Sequence, residues 1–413
     1  MPWVKLADPA TLPTGSGTGA TISSDGMYAA VSHNNSPYIS IYLRESGVFV
    51  KCPDPADLSP SNGWRCRFTP DAVYLAMGNS TSGGLIIYKR FGSSSNIFTK
   101  LADVDVPPAG YVQDIAFTWD ASYMAVALSP DAAPWTGSVM IYKRSGDTFS
   151  YLATLAIATD TVDGVAFSRD GTYLAVAFYD TPYVAFYKRS GDTFTILSTP
   201  ASLPTGRGIG AALSSDGIYA AIGHMSSPYV TIYRRYGDTF FKLTDPDTLP
   251  TGTGSGTSLT PAGMFLAVGH TTSPYLSMYQ RVGETDIYTK IADPATLPGV
   301  NLGKVSISSG PTYLVAASLS SPFIHLYYND DPPIDPSGLP FEREHPRRTS
   351  GTLPPTEPSP IMGPGVAWGK IGRGTAQPFR DPRMSAPINT SWKCPLDWKE
   401  PRPGDHMSKR RTG

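Results

Sequence analysis

The chain of 413 residues carries a formal charge of −1, with 40 glycines, 40 prolines and 23 tyrosines against only 16% charged residues. Near-neutrality leaves no global electrostatic footprint for nucleic acid or for an anionic membrane surface, and no window approaches the ~18 consecutive apolar residues of a membrane-spanning helix. The excess of turn-forming and aromatic residues describes short strands joined by many turns.

The first segment, MPWVKLADPATLP, has no basic stretch followed by an apolar core. The expectation is a protein made in the cytoplasm and not exported by a signal peptide, without membrane insertion. Cys52, Cys66 and Cys394 fit no zinc-ligand spacing and leave an odd thiol, which agrees with a reduced compartment. Within this segment WVKLADP reads as a strand followed by turn residues, and the same type of segment recurs as VFVKCPDP around Phe49, IFTKLAD around Phe98, then at Phe149, Phe194 and Phe240, and as IYTKIADP around Tyr288. A second landmark, a tyrosine usually followed by Lys or Arg, falls at Tyr42, Tyr88, Tyr142, Tyr187, Tyr233, Tyr279 and Tyr327, spaced 45 to 54 residues apart. The octapeptide YKRSGDTF is written identically at 142–149 and 187–194.

A period in the forties built from short strands predicts propeller blades, not a helical solenoid. One unit, Val162 to Pro200, reads VDGVAFSRDG, TYLAVAF, YDTP, YVAFYKR, SGD, TFTILSTP. It contains four strands, a to d from the axis outward, bounded by Asp-Gly, Thr-Pro and Ser-Gly-Asp turns. Strand a is small and aliphatic because the axis is crowded, and strand b is a continuous apolar run because neighbouring blades cover both its faces. The d-type segment at Trp3 has no a, b and c before it, while the last unit ends at IHLYYND, residues 324–330, with no d after it. The two orphans predict an all-β, seven-bladed propeller over residues 1–333, closed by pairing Trp3–Leu6 with the last strand so that no sheet edge is left open.

From 334 to 413 the repeat stops: the segment holds 14 prolines, with 13 basic against 8 acidic residues, whereas residues 1–333 hold 20 basic against 26 acidic. It has no apolar period with which to build a core, so it reads as an extended, basic, Pro-rich arm. Trp368, Trp392 and Trp398 are its large apolar groups and are expected to anchor it on a neighbouring subunit.

The clusters Gly15-Ser-Gly17-Thr-Gly19, Gly206-Arg-Gly208-Ile-Gly210 and Gly252-Thr-Gly254-Ser-Gly256 lie between strands d and a rather than opening a helix, so they read as close backbone approach, not phosphate cradles. His33, His224 and His270 share one repeat position after strand b, where other units carry Asn79, Ser129, Tyr179 and Ser318. Without a full ring of ligands the expectation is no metal and no cofactor. Arg44, Arg90, Arg144, Arg189, Arg235 and Arg281 follow strand c and are expected to pair with the carboxylate of their own hairpin. The Ser-x-Asp-Gly turns at Asp25, Asp170 and Asp216 mark the a–b hairpins. No nucleophile elbow, zinc motif or paired-carboxylate signal stands out, so no catalytic residue is assigned. The d–a and b–c loops gather on one face, and His33, Asn34, Tyr38, His224, Tyr229, His270 and Tyr275 on that face are the candidate ligand-binding residues.

The segments VDGVAFSRDGTYLAVAF, FTPDAVYLAMG and FTWDASYMAVAL resemble the first half of a WD-type propeller repeat, over residues 1 to about 330. Tyr-Lys or Tyr-Arg stands where that family has Trp-Asp, so its usual hydrogen-bond network is not implied. The tandem pattern GDTF, LPTG, SPY, YKR is similar to propeller repeats of tailed-bacteriophage virion proteins. That resemblance implies a non-enzymatic structural protein, made in the host cytoplasm, built into the tail or fibre of the particle, and held to other virion proteins through residues 334–413. A host-surface glycan is the ligand it implies for the loop face. The alternatives are a lectin-like receptor-binding propeller and, third, a propeller glycoside hydrolase.

Overall fold

The computed structural model describes residues 3–329, apart from 93–95, 132–135, 158–160, 284 and 311. The expected arm and its three tryptophans lie outside the described residues. Regular structure among the described residues is all β, in seven four-stranded antiparallel sheets. Blades 1 to 6 are consecutive meanders over residues 17–51, 63–100, 111–156, 162–196, 208–242 and 254–290. Blade 7 takes strands a, b and c from 302–307, 313–318 and 324–329 and its strand d from Trp3–Lys5. No helix here is long and apolar enough to cross a membrane.

Closure occurs as the orphan strands predict. Trp3 lies opposite Asn329, Val4 opposite Tyr328 and Lys5 opposite Tyr327, and the Leu6 amide donates to the Leu326 carbonyl at 2.8 Å. Strand b is buried at every residue in blades 1, 2, 4, 5 and 6, consistent with its unbroken apolar sequence.

The hydrophobic core is not central. It consists of seven clusters, each shared by two adjacent blades. The junction of blades 3 and 4 shows why YKRSGDTF repeats, because its letters serve three places at once. Tyr142 is fully buried and its hydroxyl donates to the Val106 carbonyl at 2.8 Å, stapling the d–a loop to strand c. Lys143 of blade 3 bonds both oxygens of Asp192 in the c–d hairpin of blade 4, at 2.9 and 2.8 Å, and Tyr123 of blade 3 donates to the same carboxylate. Arg189 of blade 4 lies 4.5 Å over the Tyr123 ring, while Phe194 meets that ring edge-on at 6.2 Å. One tyrosine ring of blade 3 is thus held by three residues of blade 4.

The arginine expectation needs correction. Arg189 does not pair with its hairpin carboxylate; Nε donates to the Gly171 carbonyl at 2.8 Å and the two terminal nitrogens to Gly191 and Asp170 carbonyls, both at 2.9 Å. The planar guanidinium fits three fixed carbonyls and stacks at the same time, whereas the carboxylate is reached better by the lysine of the preceding blade. Arg44, Arg90, Arg144, Arg235 and Arg281 stack in the same way, each on the strand-b tyrosine of the preceding blade. At the junction of blades 6 and 7 both partners change together: Phe265 stands for the tyrosine and Asn329 for the arginine. Trp3, 1% exposed, fills the cluster there with Leu276, Met278 and Tyr327.

The a–b turns behave as their sequence says. Asp170 accepts from the Ser168 hydroxyl at 2.8 Å and the Thr172 amide at 2.9 Å, and Gly171 has φ of 67°. Ala72 and Ala121 take the same left-handed conformation, with φ of 52° and 54°, where the glycine is missing.

Trp3→Ala is expected to cost about 3–5 kcal/mol, because it empties a junction core and loosens the closing strand. Val4→Ala on the exposed side of the same strand is expected to change stability by less than about 0.5 kcal/mol. Denaturant midpoints of the two variants check this, and equal shifts would refute the closing role of Trp3.

Candidate functional site

The inner strands set the geometry of the axis. Each has a β-bulge near its start, between Gly17 and Gly19 in blade 1 and at the matching place in the other six. A Cβ at Gly17 would lie 2.5 Å from the Phe323 carbonyl oxygen of the preceding blade, and one at Gly256 would lie 2.8 Å from Cα of Lys304 in the next. The glycine clusters therefore let adjacent inner strands approach, as the sequence reading expected.

The sequence reading missed what fills the channel. Lys304 of blade 7 crosses the axis to the Asp114 carboxylate of blade 3 at 3.3 Å and to the Asp163 and Ile209 carbonyls at 3.3 and 3.1 Å. Arg65 donates to the Thr18, Trp64 and Gln113 carbonyls at 2.6, 2.9 and 2.9 Å. Arg207 grips both oxygens of Asp163 at 2.8 and 2.7 Å. Burial pulls the pKa of both Lys304 and Arg65 below the ordinary value. This charged plug ties non-adjacent blades together, and breaking one partner would leave the others buried and unpaired. Its signal was present as Arg65, Asp114, Asp163 and Lys304 inside the a strands, with Arg207 just ahead of its own.

Beyond the plug, toward the a–b hairpins, the channel opens into a cavity of about 190 Å³. Its collar is the last residue of each inner strand, running from Ile22 through Phe68, Phe117 and Phe167 to Ile307. Below the collar lie Arg67, Thr257, Ser258 and Ser306, and no acidic side chain lines the space. This cavity lies on the hairpin face, opposite the loop face where the sequence reading placed ligand binding.

On the loop face one b–c turn recurs in five blades: a cis proline followed by an aromatic residue at positive φ, Tyr38 (69°), Tyr183 (66°), Tyr229 (67°), Tyr275 (68°) and Phe323 (66°). In three of them the LPTG threonine of the neighbouring d–a loop donates to the carbonyl before that proline: Thr14 to Ser36 at 2.7 Å, Thr205 to Ser227 and Thr251 to Ser273 at 2.6 Å. Asn34 is exposed, and Tyr38, Tyr229 and Tyr275 are half-buried, so these four remain on the surface.

His33, His224 and His270 lie beneath that surface, fully buried. Each Nε2 is 3.0 Å from a strand-c hydroxyl, of Ser40, Thr231 and Ser277 respectively. As placed, they support the loop instead of facing a ligand. Strand register also revises the equivalences, since Leu128 and Phe178, not Ser129 and Tyr179, occupy the histidine position. In blade 7 the pair is present but exchanged: Ser318 takes the strand-b position and His325 the strand-c position, again at 3.0 Å. Burial lowers the pKa of all four imidazoles to about 4. The thiols of Cys52 and Cys66 are buried and pushed up to about 12 and 11, which makes them poor nucleophiles.

No family model and no curated protein matches the chain. Among solved structures it is similar to a chain of Kuenenia stuttgartiensis hydrazine synthase, at 14% identity and a TM-score of 0.57, over 78% of this chain and 97% of that one. Likeness at that identity concerns the fold, and with the seven closed sheets it makes this chain a seven-bladed β-propeller.

Two outcomes are expected of the buried pairs. His33→Ser alone should cost about 1–3 kcal/mol by orphaning Ser40, while the double exchange His33→Ser with Ser40→His, which copies blade 7, should recover most of it. Chemical denaturation of the three proteins reads this directly, and an unrecovered double variant would count against the pairing. Second, each imidazole stays neutral when folded but takes a proton near pH 6.5 when unfolded. Their contribution is therefore complete above pH 6.5 and falls as pH drops toward 4, so unfolding at pH 5 should take up about one proton per buried histidine. The pH dependence of the denaturant midpoint, with and without His224→Asn, measures it.

Proposed function

We propose that this propeller is a non-enzymatic interaction platform, serving as a structural component of a tailed-bacteriophage particle in its tail or fibre. The observation carrying the reading is the division of labour in the repeat. Its charged and aromatic landmarks are spent on holding blades together, as in the Lys143, Arg189, Asp192 and Tyr123 junction. What remains outward is one face that repeats a single rigid turn five times among Thr, Ser and Asn side chains. A repeated rigid surface suits contact with another protein or with a host-surface glycan held by several equivalent loops. The resemblance of the tandem pattern to phage virion repeats points to the particle.

In this reading the basic arm docks the propeller on a neighbouring, acidic subunit, with Trp368, Trp392 and Trp398 as anchors. Removing residues 334–413 should abolish incorporation into particles while the remaining chain unfolds as a cooperative propeller by circular dichroism. Incorporation of the truncated chain at the full-length level would overturn the reading.

A further inference from the structure

We infer that the hairpin-face mouth of the channel is a binding site for a small carboxylate with a compact apolar body. The inference does not depend on the particle role, and it concerns the opposite face from the repeated loop turns.

The floor of this cavity has donors without acceptors. The Thr21 hydroxyl oxygen accepts the Phe68 amide at 3.1 Å, that of Ser258 accepts the Ile307 amide at 3.1 Å, and that of Ser306 accepts the Ile22 amide at 3.4 Å. Each hydroxyl is oriented by an amide of the next blade and keeps its own proton to donate. Arg67 is fixed through Nε on the Ile115 carbonyl at 3.0 Å and makes no ion pair among the described residues. Asp114, which shares a deeper space with Arg67, is already held by Lys304, and the hairpin acids Asp25, Asp71 and Asp120 beside the rim are taken up by hydroxyls of their own turns. Across from the donors the same layer is alanine, at 116, 166 and 212.

A guanidinium without an ion pair and three oriented hydroxyls stabilise an anion, and a carboxylate matches a planar guanidinium edge. The collar of Phe68, Phe117, Phe167 and aliphatic residues asks for an apolar body above that charge. A dry protein cavity of about 150 Å³ accepts a benzene ring. The present cavity, at about 190 Å³, has room for benzoate or a short acyl carboxylate. Inorganic phosphate or acetate would leave the collar unfilled, and a neutral ring would leave the donors unpaired.

Isothermal titration of the full-length protein with benzoate, hexanoate, benzamide, acetate and N-acetylphenylalanine tests this. Benzoate or hexanoate should bind at least about tenfold more tightly than benzamide or acetate. N-acetylphenylalanine outranking benzoate would identify a peptide C-terminus as the source of the carboxylate, and the reverse order a free small acid; either supports the site. Arg67→Gln should weaken benzoate at least about tenfold. Ala212→Leu, at a lining residue that belongs to none of the shared apolar clusters, fills the cavity and leaves every charge in place; it should abolish binding while the protein still unfolds cooperatively, and it keeps the test valid should Arg67→Gln fold poorly. Equal affinity for benzoate and benzamide, benzoate binding untouched by Ala212→Leu, or no binding at millimolar ligand would each overturn the proposal.

Discussion

Everything in this molecule depends on the contact between one blade and the next. A four-stranded sheet with both faces apolar cannot stand in water alone, and here each pair of neighbours shares its own cluster of buried residues. Because the clusters are shared, no blade is finished until its neighbour is in place, and the last blade is finished only by the first residues of the chain. The strand-b tyrosine is the meeting point, receiving an arginine above, an aromatic ring at its edge and a carboxylate at its hydroxyl. The ion pairs between Lys143 and Asp192 and their equivalents are about half exposed and contribute little by charge alone. Their use is directional, holding one hairpin over the next blade while the buried rings supply the stability.

The axis has the opposite chemistry. At Gly19, Gly164 and Gly256 neighbouring a strands approach so closely that a Cβ has no room, and the space left over is closed by charge from the other blades. Lys304, Asp114 and Asp163 join blades that do not touch through their faces, so a ring assembled by nearest-neighbour contacts also carries an internal brace. The brace ends below the hairpin-face collar, and the acid-free cavity begins there.

Much of the fold was legible in residues 3–329. The tyrosine period, the turn residues and the complementary orphans at WVK and IHLYYN specified blade number and closure, because those features are local or repeat along the chain. The candidate site was less legible. His33, His224 and His270 stand next to exposed loop residues in the sequence, yet the backbone turns at that point and sends the imidazoles inward to a strand-c hydroxyl. Blade 7 carries the clue in its exchanged Ser318 and His325, but recognising it requires the strand register. Arg44 and its equivalents were misread for a related reason. The carboxylate nearest in sequence belongs to the same hairpin, whereas the nearest groups in space are carbonyls and the ring of another blade.

By itself, the sequence determined the strand and turn pattern, the count of seven units and the pairing of the two chain ends, since each follows from hydrophobic alternation, turn chemistry and an unpaired edge that must find its complement. Only the tertiary structure decided which side chains face the axis, which partner each charge takes and on which face a cavity opens. Those outcomes depend on bulges that redirect strand a and on contacts between residues about 50 to 190 positions apart. No local pattern encodes such distances, because closing the ring brings blade 7 against blade 1 and, through Lys304, against blade 3.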